Sequence, residues 1–316
     1  MVLVFGGTHK MSGRIGRQAA LWAETIKLSH TVFAMPFALA ATFLAGRDLP
    51  GRNVPYLGQV GLIVLCMFFA RSVAMTFNRI ADAALDARNP RTADRAIAAG
   101  AISKRVAWVF LSLCAGGFMA SCYGFWGVYA NPWPIRFAIP VLVVLCLYSL
   151  AKRFTRWTHF CLGGAIALSP VAAWVAISPG TLGWAAALLT GAVALWIGGF
   201  DVIYACQDIA VDRREGLHSL PAKWGPARAL VLVRVSHGVT VMLLVALGVV
   251  EQLGWIYFSG VGMVAALLVV ENRMVRANDF SRVNVAFFTL NGAVSLVLGF
   301  LTVVDVLWGV GLGVGI

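Results

Sequence analysis

Charge is what this sequence has least of. Only 12% of its 316 residues are charged, while 60% are hydrophobic. A soluble domain carries about a quarter charged residues and needs them to cover its surface. Lipid removes that requirement, because the apolar faces of spanning helices need no water. The six cysteines, Cys66, Cys114, Cys122, Cys146, Cys161 and Cys206, lie scattered through apolar runs with no C-x-x-C pair. That pattern argues against a metal or redox site and reads as small core residues. No stretch alternates polar and apolar residues as the strands of a membrane barrel do. The first 28 residues lack the short apolar core and cleavage site of a secretory signal.

Long apolar runs fill the rest, and the mean hydropathy is +0.84. A spanning helix needs roughly 20 mostly apolar residues. Such runs fall at Ser29–Ala45, Tyr56–Phe77, Val106–Phe125, Ile135–Leu150, His159–Ile177, Leu182–Tyr204, Ala227–Val249, Leu253–Val270 and Val285–Leu307. The expected fold is all-α: a polytopic membrane protein of about nine transmembrane helices. Residues 29–316 form its transmembrane domain, and residues 1–28 a basic cytoplasmic segment. The piece Met11–Leu28 is weakly amphipathic and suits either a surface-lying helix or a mobile tail. Trp126, Trp133, Trp174 and Trp255 fall where interfacial belts are expected, and the closing GVGLGVGI reads as the end of the last span. His30 and His159, near span ends, read as packing or capping residues.

Lys and Arg sort to one side. Arg47, Arg52 and Arg136 occupy one set of loops, while Lys27, Arg79, Arg91, Arg95, Lys152, Arg153, Arg214 and Arg276 represent the much more basic other set. The positive-inside rule puts the basic set in the cytoplasm, as in a cell inner (cytoplasmic) membrane. The net charge of +12 then follows from topology and calls for no nucleic acid.

Acidic residues number only 13, and their placement carries the chemistry. Asn78, Asp82 and Asp86 follow the second span in NRIADAALD; Asp201, Tyr204, Asp208 and Asp212 lie at the end of the sixth in DVIYACQDIAVD. Spacings of three, four and seven put each set on one helical face, with Arg71 two turns deeper on the first. Carboxylates four residues apart repel and ask for a cation, and Mg²⁺ takes such oxygens together with substrate phosphates. Arg88, Arg91 and Arg95 follow the first cluster, Lys152 and Arg153 the fourth span, and Arg213 and Arg214 the second cluster. Positive charge around metal-binding acids suits a polyanion such as diphosphate. Two clusters four spans apart also suggest a parallel pseudo-repeat of spans one to four and five to eight. An ion-coupled transporter is the rival reading; it places its acids near the bilayer midplane among broken helices.

These residues resemble the UbiA superfamily of intramembrane aromatic prenyltransferases. Asn78, Asp82 and Asp86 match its N-x-x-x-D-x-x-x-D motif, Asp208 and Asp212 its D-x-x-x-D motif, and Tyr148, Lys152 and Arg153 its Y-x-x-x-K-R element. RTADRAIAAG and QDIAVDRREGLHSLPAKWG are most similar to the 4-hydroxybenzoate polyprenyltransferase-like branch, which includes enzymes of the futalosine route to menaquinone. Ala96 and Ser149 stand where relatives often carry Pro. The resemblance implies helices around a central cavity open to the cytoplasmic side, with a polyprenyl diphosphate along an apolar groove. It implies Mg²⁺ held by Asp82, Asp86, Asp208 and Asp212, with Asn78 on metal or diphosphate. Arg91, Lys152 and Arg153 then share the diphosphate charge, and Arg71 and Lys27 anchor an aromatic acid. 4-Hydroxybenzoate is the first acceptor it suggests, for ubiquinone or menaquinone synthesis, and a naphthoate-type acid the second. Transfer to haem, chlorophyllide or a glycerol phosphate on the same fold remains open, as does the oligomeric state.

Overall fold

The computed structural model describes residues 21–26 and 33–311. Among the described residues, nine principal helices carry the fold: α1 (Met35–Gly46), α2 (Leu57–Arg88), α3 (Lys104–Tyr129), α4 (Trp133–Leu147), α5 (Thr158–Ile177), α6 (Trp184–Ala205), α7 (Pro226–Val250), α8 (Trp255–Met274) and α9 (Asn291–Gly311). Among the described residues, eight helical segments are long and apolar enough to cross a membrane, while α1 is a shorter apolar helix. The described residues thus give eight of the expected spans at full length and the first as α1. The start expected for the first span, Ser29, and the candidate acceptor anchor Lys27 both lie outside the described residues.

Proline sets several helix starts. Pro36, Pro134 and Pro226 stand in first turns, where a missing N–H costs nothing. Ser103 caps α3 by accepting from Val106 N at 3.3 Å. α2 has 32 residues, about 48 Å at the usual rise per residue, against roughly 30 Å of hydrocarbon. The excess, about 18 Å, matches the length of the last three turns, which carry NRIADAALD. α2 stops at Asn89, whose extended backbone precedes Pro90.

The helices pack around α1, α5 and α6. Phe37, Ala38, Ala41 and Leu44 of α1 are buried, as are Leu189, Trp196 and Ile197 of α6. Small residues allow close approach: a Cβ on Gly163 would meet Ala194 O at 2.2 Å, and one on Gly299 would meet Pro36 Cβ at 2.4 Å. Large apolar side chains elsewhere face outward, among them Val109, Leu113, Ile139, Trp184 and Phe300. Trp126, Trp133 and Trp255 are exposed as expected for interfacial rings, but Trp174 is buried, its Nε1 donating to Thr181 Oγ1 at 3.1 Å. Cys161 is exposed on α5 rather than packed in a core. Residues 21–26 are not a free surface segment: Trp22 stacks on Phe110 at 4.1 Å, and Leu21 packs beside Ala83 and Ala107.

Three spans change helix type. α4 contains Pro140 and continues as a 3-10 segment, Tyr148–Arg153. α6 passes through a 3-10 turn, Cys206–Asp208, into the short helix Ile209–Arg214. A π-helical segment, Ala286–Leu290, precedes α9. Asn291 holds that last transition, donating to Ala286 O at 3.0 Å and Glu271 Oε1 at 2.6 Å while accepting from Trp196 Nε1 at 2.8 Å. The expectation that Asp201 through Asp212 share one continuous helix is corrected: the 3-10 turn Cys206–Asp208 interrupts it, although all three acids still line one cavity.

Candidate active site

The ends of α2, α4 and α6 meet at one mouth of a cavity of about 1020 Å³. Its polar rim includes Asn78, Asp82, Asp86, Arg91, Lys152, Tyr204, Asp208 and Asp212, while Arg71, Tyr148 and Asp201 also line it. Deeper walls are apolar, with Met67, Phe118, Phe137, Val141, Leu162 and Ile166. The acids thus gather at one end of the spans, not at a midplane break.

The first cluster is built by helical spacing. Asn78 Nδ2 donates to Asp82 Oδ2 at 3.2 Å, one turn on. Asp82 is only 2% exposed, which is tolerable because α4 delivers two cations to it. Lys152 Nζ lies 2.7 Å from Oδ2 and Arg153 Nη2 lies 3.3 Å from Oδ1. Arg153 reaches Asp82 from outside the cavity lining and also donates to Ala81 O at 2.7 Å. The carbonyl of Lys152 accepts from His218 N at 2.7 Å, tying the 3-10 segment to the loop after the short helix Ile209–Arg214.

The chain after α2 folds back over Asp86. Arg95 Nη1 lies 2.7 Å from Asp86 Oδ1, and Thr92 Oγ1 donates to Asp86 O at 3.0 Å. Asp86 Oδ2 is buried and has no hydrogen-bond partner. The same loop reaches the second cluster. Arg91 Nε donates to Asp208 Oδ1 at 3.0 Å, Nη2 pairs with Oδ2, and Nη1 donates to Tyr204 OH at 2.8 Å. Asn89 Nδ2 adds 3.2 Å to Asp208 Oδ1. Burial pulls the Arg91 guanidinium down, but the hydrogen bonds and charge of Asp208 and the Tyr204 hydroxyl outweigh it and hold it above its ordinary value.

Deeper in, Asp201 Oδ2 lies 2.7 Å from His159 Nδ1 on the first turn of α5. Tyr148 lines the same cavity as Arg71, Arg79 and Asp201. Asp82 and Asp201 thus pair with Lys152, Arg153 and His159.

Most residues expected at the site thus reach one cavity, but the four carboxylates do not form one cluster. Among the described residues, no group of three or more His, Cys, Asp or Glu is gathered to hold a metal ion. The acids instead stand in two sets, with Asp82, Asp86 and Asp208 each clasped by basic side chains. Three site residues escaped the sequence reading. Arg79 looked like an ordinary loop positive, yet it is buried in α2 and donates to Asn78 Oδ1 at 3.4 Å. Asn89 signalled itself only as the residue before Pro90. His159, read as packing or capping, is paired across two helices, and no spacing in sequence reveals such a pair.

Comparison with known proteins places this geometry. The profile of the UbiA prenyltransferase family matches residues 28–308. A 4-hydroxybenzoate octaprenyltransferase of Pseudomonas aeruginosa is 30% identical over 227 residues, 72% of this chain and 74% of its own length. One from Nitrosococcus oceani is 27% identical over 283 residues, 88% of this chain and 95% of that protein. Among solved structures, the apo form of a UbiA homologue from Aeropyrum pernix superposes with a TM-score of 0.77 at 30% identity, covering 87% of this chain and 98% of that one. A homologue from Archaeoglobus fulgidus, bound to GPP and Mg²⁺, shares the fold at 17% identity with a TM-score of 0.66, covering 90% of this chain and 99% of that one. With its family motifs assembled at one cavity mouth, this multi-pass chain belongs to the UbiA prenyltransferase family.

Proposed function

We propose that this prenyltransferase moves a polyprenyl group from its diphosphate to the ring of an aromatic acid in the bacterial inner membrane. 4-Hydroxybenzoate is the leading acceptor, as the names of the Pseudomonas and Nitrosococcus relatives suggest. The observation that carries the reading is the two-ended cavity: facing acid pairs among cations at its mouth, and an apolar wall of Met67, Phe118, Phe137 and Ile166 behind them. Such a shape fits a molecule with a diphosphate head and an isoprenoid tail.

The residues fit Mg²⁺. They are hard oxygen donors, and Asp86 keeps a buried carboxylate oxygen without a hydrogen-bond partner. Asp82 and Asp86 on one side and Asp208 and Asp212 on the other would hold the ions, with Asn78 beside them. The Archaeoglobus neighbour, bound to GPP and Mg²⁺, supports that role by its fold. Bound there, the metal supplies charge neutralisation of the diphosphate as the allylic C–O bond breaks. Lys152, Arg153 and Arg91 turn part of their charge from the acids to the diphosphate. The apolar walls keep water from the allylic cation. Arg71 faces the acceptor's carboxylate as a bidentate donor, and Tyr148 beside it shapes the ring's pocket. The basic mouth faces the cytoplasm.

The deciding experiment incubates the purified protein with labelled polyprenyl diphosphates and with 4-hydroxybenzoate or a hydroxynaphthoate, and identifies products by mass spectrometry. A ring-prenylated acid should form with Mg²⁺ and vanish with excess EDTA. Asp82→Ala and Asp208→Ala should each lose at least about 100-fold in kcat, since each removes a charge that offsets the leaving group. Full turnover in EDTA overturns the metal assignment, and no aryl product with either acid overturns the acceptor class.

A further inference from the structure

The ring substitution leaves one requirement that the mouth residues do not meet. The allylic carbon bonds to a ring carbon, the C–O bond to diphosphate breaks, and the ring carbon's C–H bond must then break to restore aromaticity. Its electron pair returns to the ring and its proton needs an acceptor in a cavity built to exclude water.

Asp82, Asp86 and Asp208 are already engaged, with ammonium or guanidinium nitrogens no more than 3.3 Å away. Asp201 is placed differently. Its ion-pair partner among the described residues is a histidine, His159, at 2.7 Å from Oδ2. That ring is 5% exposed and its Nε2 is buried with no hydrogen-bond partner. A protonated Nε2 there would bury an N–H without an acceptor, which is the costlier state. With its hydrogen on Nδ1 the imidazole donates to Asp201 Oδ2, and Oδ1 is left for another partner. The Asp201 side chain is 23% exposed and lines the cavity. It stands seven residues before Asp208, about two turns deeper than the diphosphate end, where a ring anchored near Arg71 and Tyr148 would meet the allylic carbon.

We propose that Asp201 is the base that takes the ring proton, and that His159 is the positioning residue that holds its carboxylate. The inference rests on the aromatic acceptor argued above. Asp201 Oδ1 accepts the proton from the substituted ring carbon while His159 Nδ1–H stays on Oδ2. The neutral carboxylic acid then releases the proton to solvent at the cavity mouth as product leaves. α5 and α6 hold the pair rigidly, since they touch backbone to backbone at Gly163 and Ala194.

The test separates bond ionisation from proton loss. Scrambling of ¹⁸O between bridging and non-bridging positions of the prenyl diphosphate reports ionisation; turnover with ring-deuterated 4-hydroxybenzoate reports loss of the ring hydrogen. Asp201→Asn should lose about 100-fold in kcat and show a larger primary deuterium effect than wild type, with scrambling kept within about twofold. Retained scrambling also shows that the variant is folded. His159→Gln, whose amide N–H can reach the carboxylate, should recover most of the activity, and His159→Phe should resemble Asp201→Asn. An Asp201→Asn enzyme with wild-type kcat, with no added deuterium effect, or with scrambling reduced in parallel overturns the proposal. A wild type that scrambles diphosphate but makes no aryl product sinks the acceptor assignment and this inference with it. Aryl product in wild type with an indifferent Asp201→Asn sinks this inference alone.

Discussion

Arg71 sits in α2 seven residues before Asn78 and lines the cavity where its wall turns apolar. A guanidinium at that depth costs on the order of 3 kcal/mol on insertion scales, which function or pairing must offset. Removing it should act on one substrate only. Arg71→Ala is expected to raise the KM for the aromatic acid by about tenfold or more, the loss of one charge-assisted pair, with the KM for the prenyl diphosphate within about twofold. Arg71→Lys should recover part of the effect, keeping the charge but not the fork. Steady-state kinetics with each substrate varied in turn checks this, and an unchanged aromatic KM removes Arg71 from the acceptor site. Residues of this kind were legible in the sequence because acids and buried cations are rare against an apolar background. Partnerships were not. Lys152 and Arg153 reach Asp82 across about 70 positions, and Arg91 reaches Asp208 across 117. Periodicity sees only neighbours on one helix, so it could not show that the segment after α4 supplies the partners of Asp82.

At the scale of the element, type was easier to read than continuity. Apolar runs of about 20 residues announce helices, and all the expected spans contain one. The 3-10 turn Cys206–Asp208 and the π segment Ala286–Leu290 carry no proline or glycine, so nothing local marks them. They are set by packing, as Asn291 shows by filling the carbonyl of Ala286. α5 and α6, which frame the cavity and carry His159 and Asp201, depend on small residues at their contact. In lipid, apolar burial does not drive helices together, so close packing has to. A Cβ on Gly163 would stand 2.2 Å from Ala194 O and 2.9 Å from Gly198 N, both backbone atoms that cannot turn aside. Gly163→Ala should therefore cost about 1–3 kcal/mol and lower the melting temperature in detergent by several degrees. Gly164→Ala, one residue on with nothing within 4 Å of its Cβ, should melt like wild type. Equal melting of the two variants would mean that α5 and α6 are less tightly seated than this contact requires.

For the molecule as a whole, the two ends differ in kind. One carries the acids, the basic loops and the cavity mouth. The other carries an ion pair between Arg47 and Glu251 at 3.4 Å, and Asp305, which accepts from Gly254 N at 2.7 Å and Tyr257 N at 3.1 Å to cap α8. These partners tie loops together and are not part of the lining of the cavity described above. The crossing order of the helices puts the loops after α2, α4, α6 and α8 on the first side and those after α1, α3, α5 and α7 on the second. The proposed cytoplasmic side is the one richer in Lys and Arg, because translocating a cation-rich loop is disfavoured. Single cysteines at exposed Lys104, Arg276 and Arg52, in a background with Cys161→Ser, report the orientation directly. A membrane-impermeant thiol reagent added outside intact cells with a permeable outer membrane should label position 52. Positions 104 and 276 should react only after the inner membrane is opened. The reverse pattern would put the diphosphate mouth outside the cell, away from the cytoplasm where soluble aromatic acids and isoprenoid diphosphates are made, and would overturn the orientation. Labelling of all three from outside would instead break the alternation of crossings, and with it the requirement that α2, α4 and α6 present their motifs to one mouth.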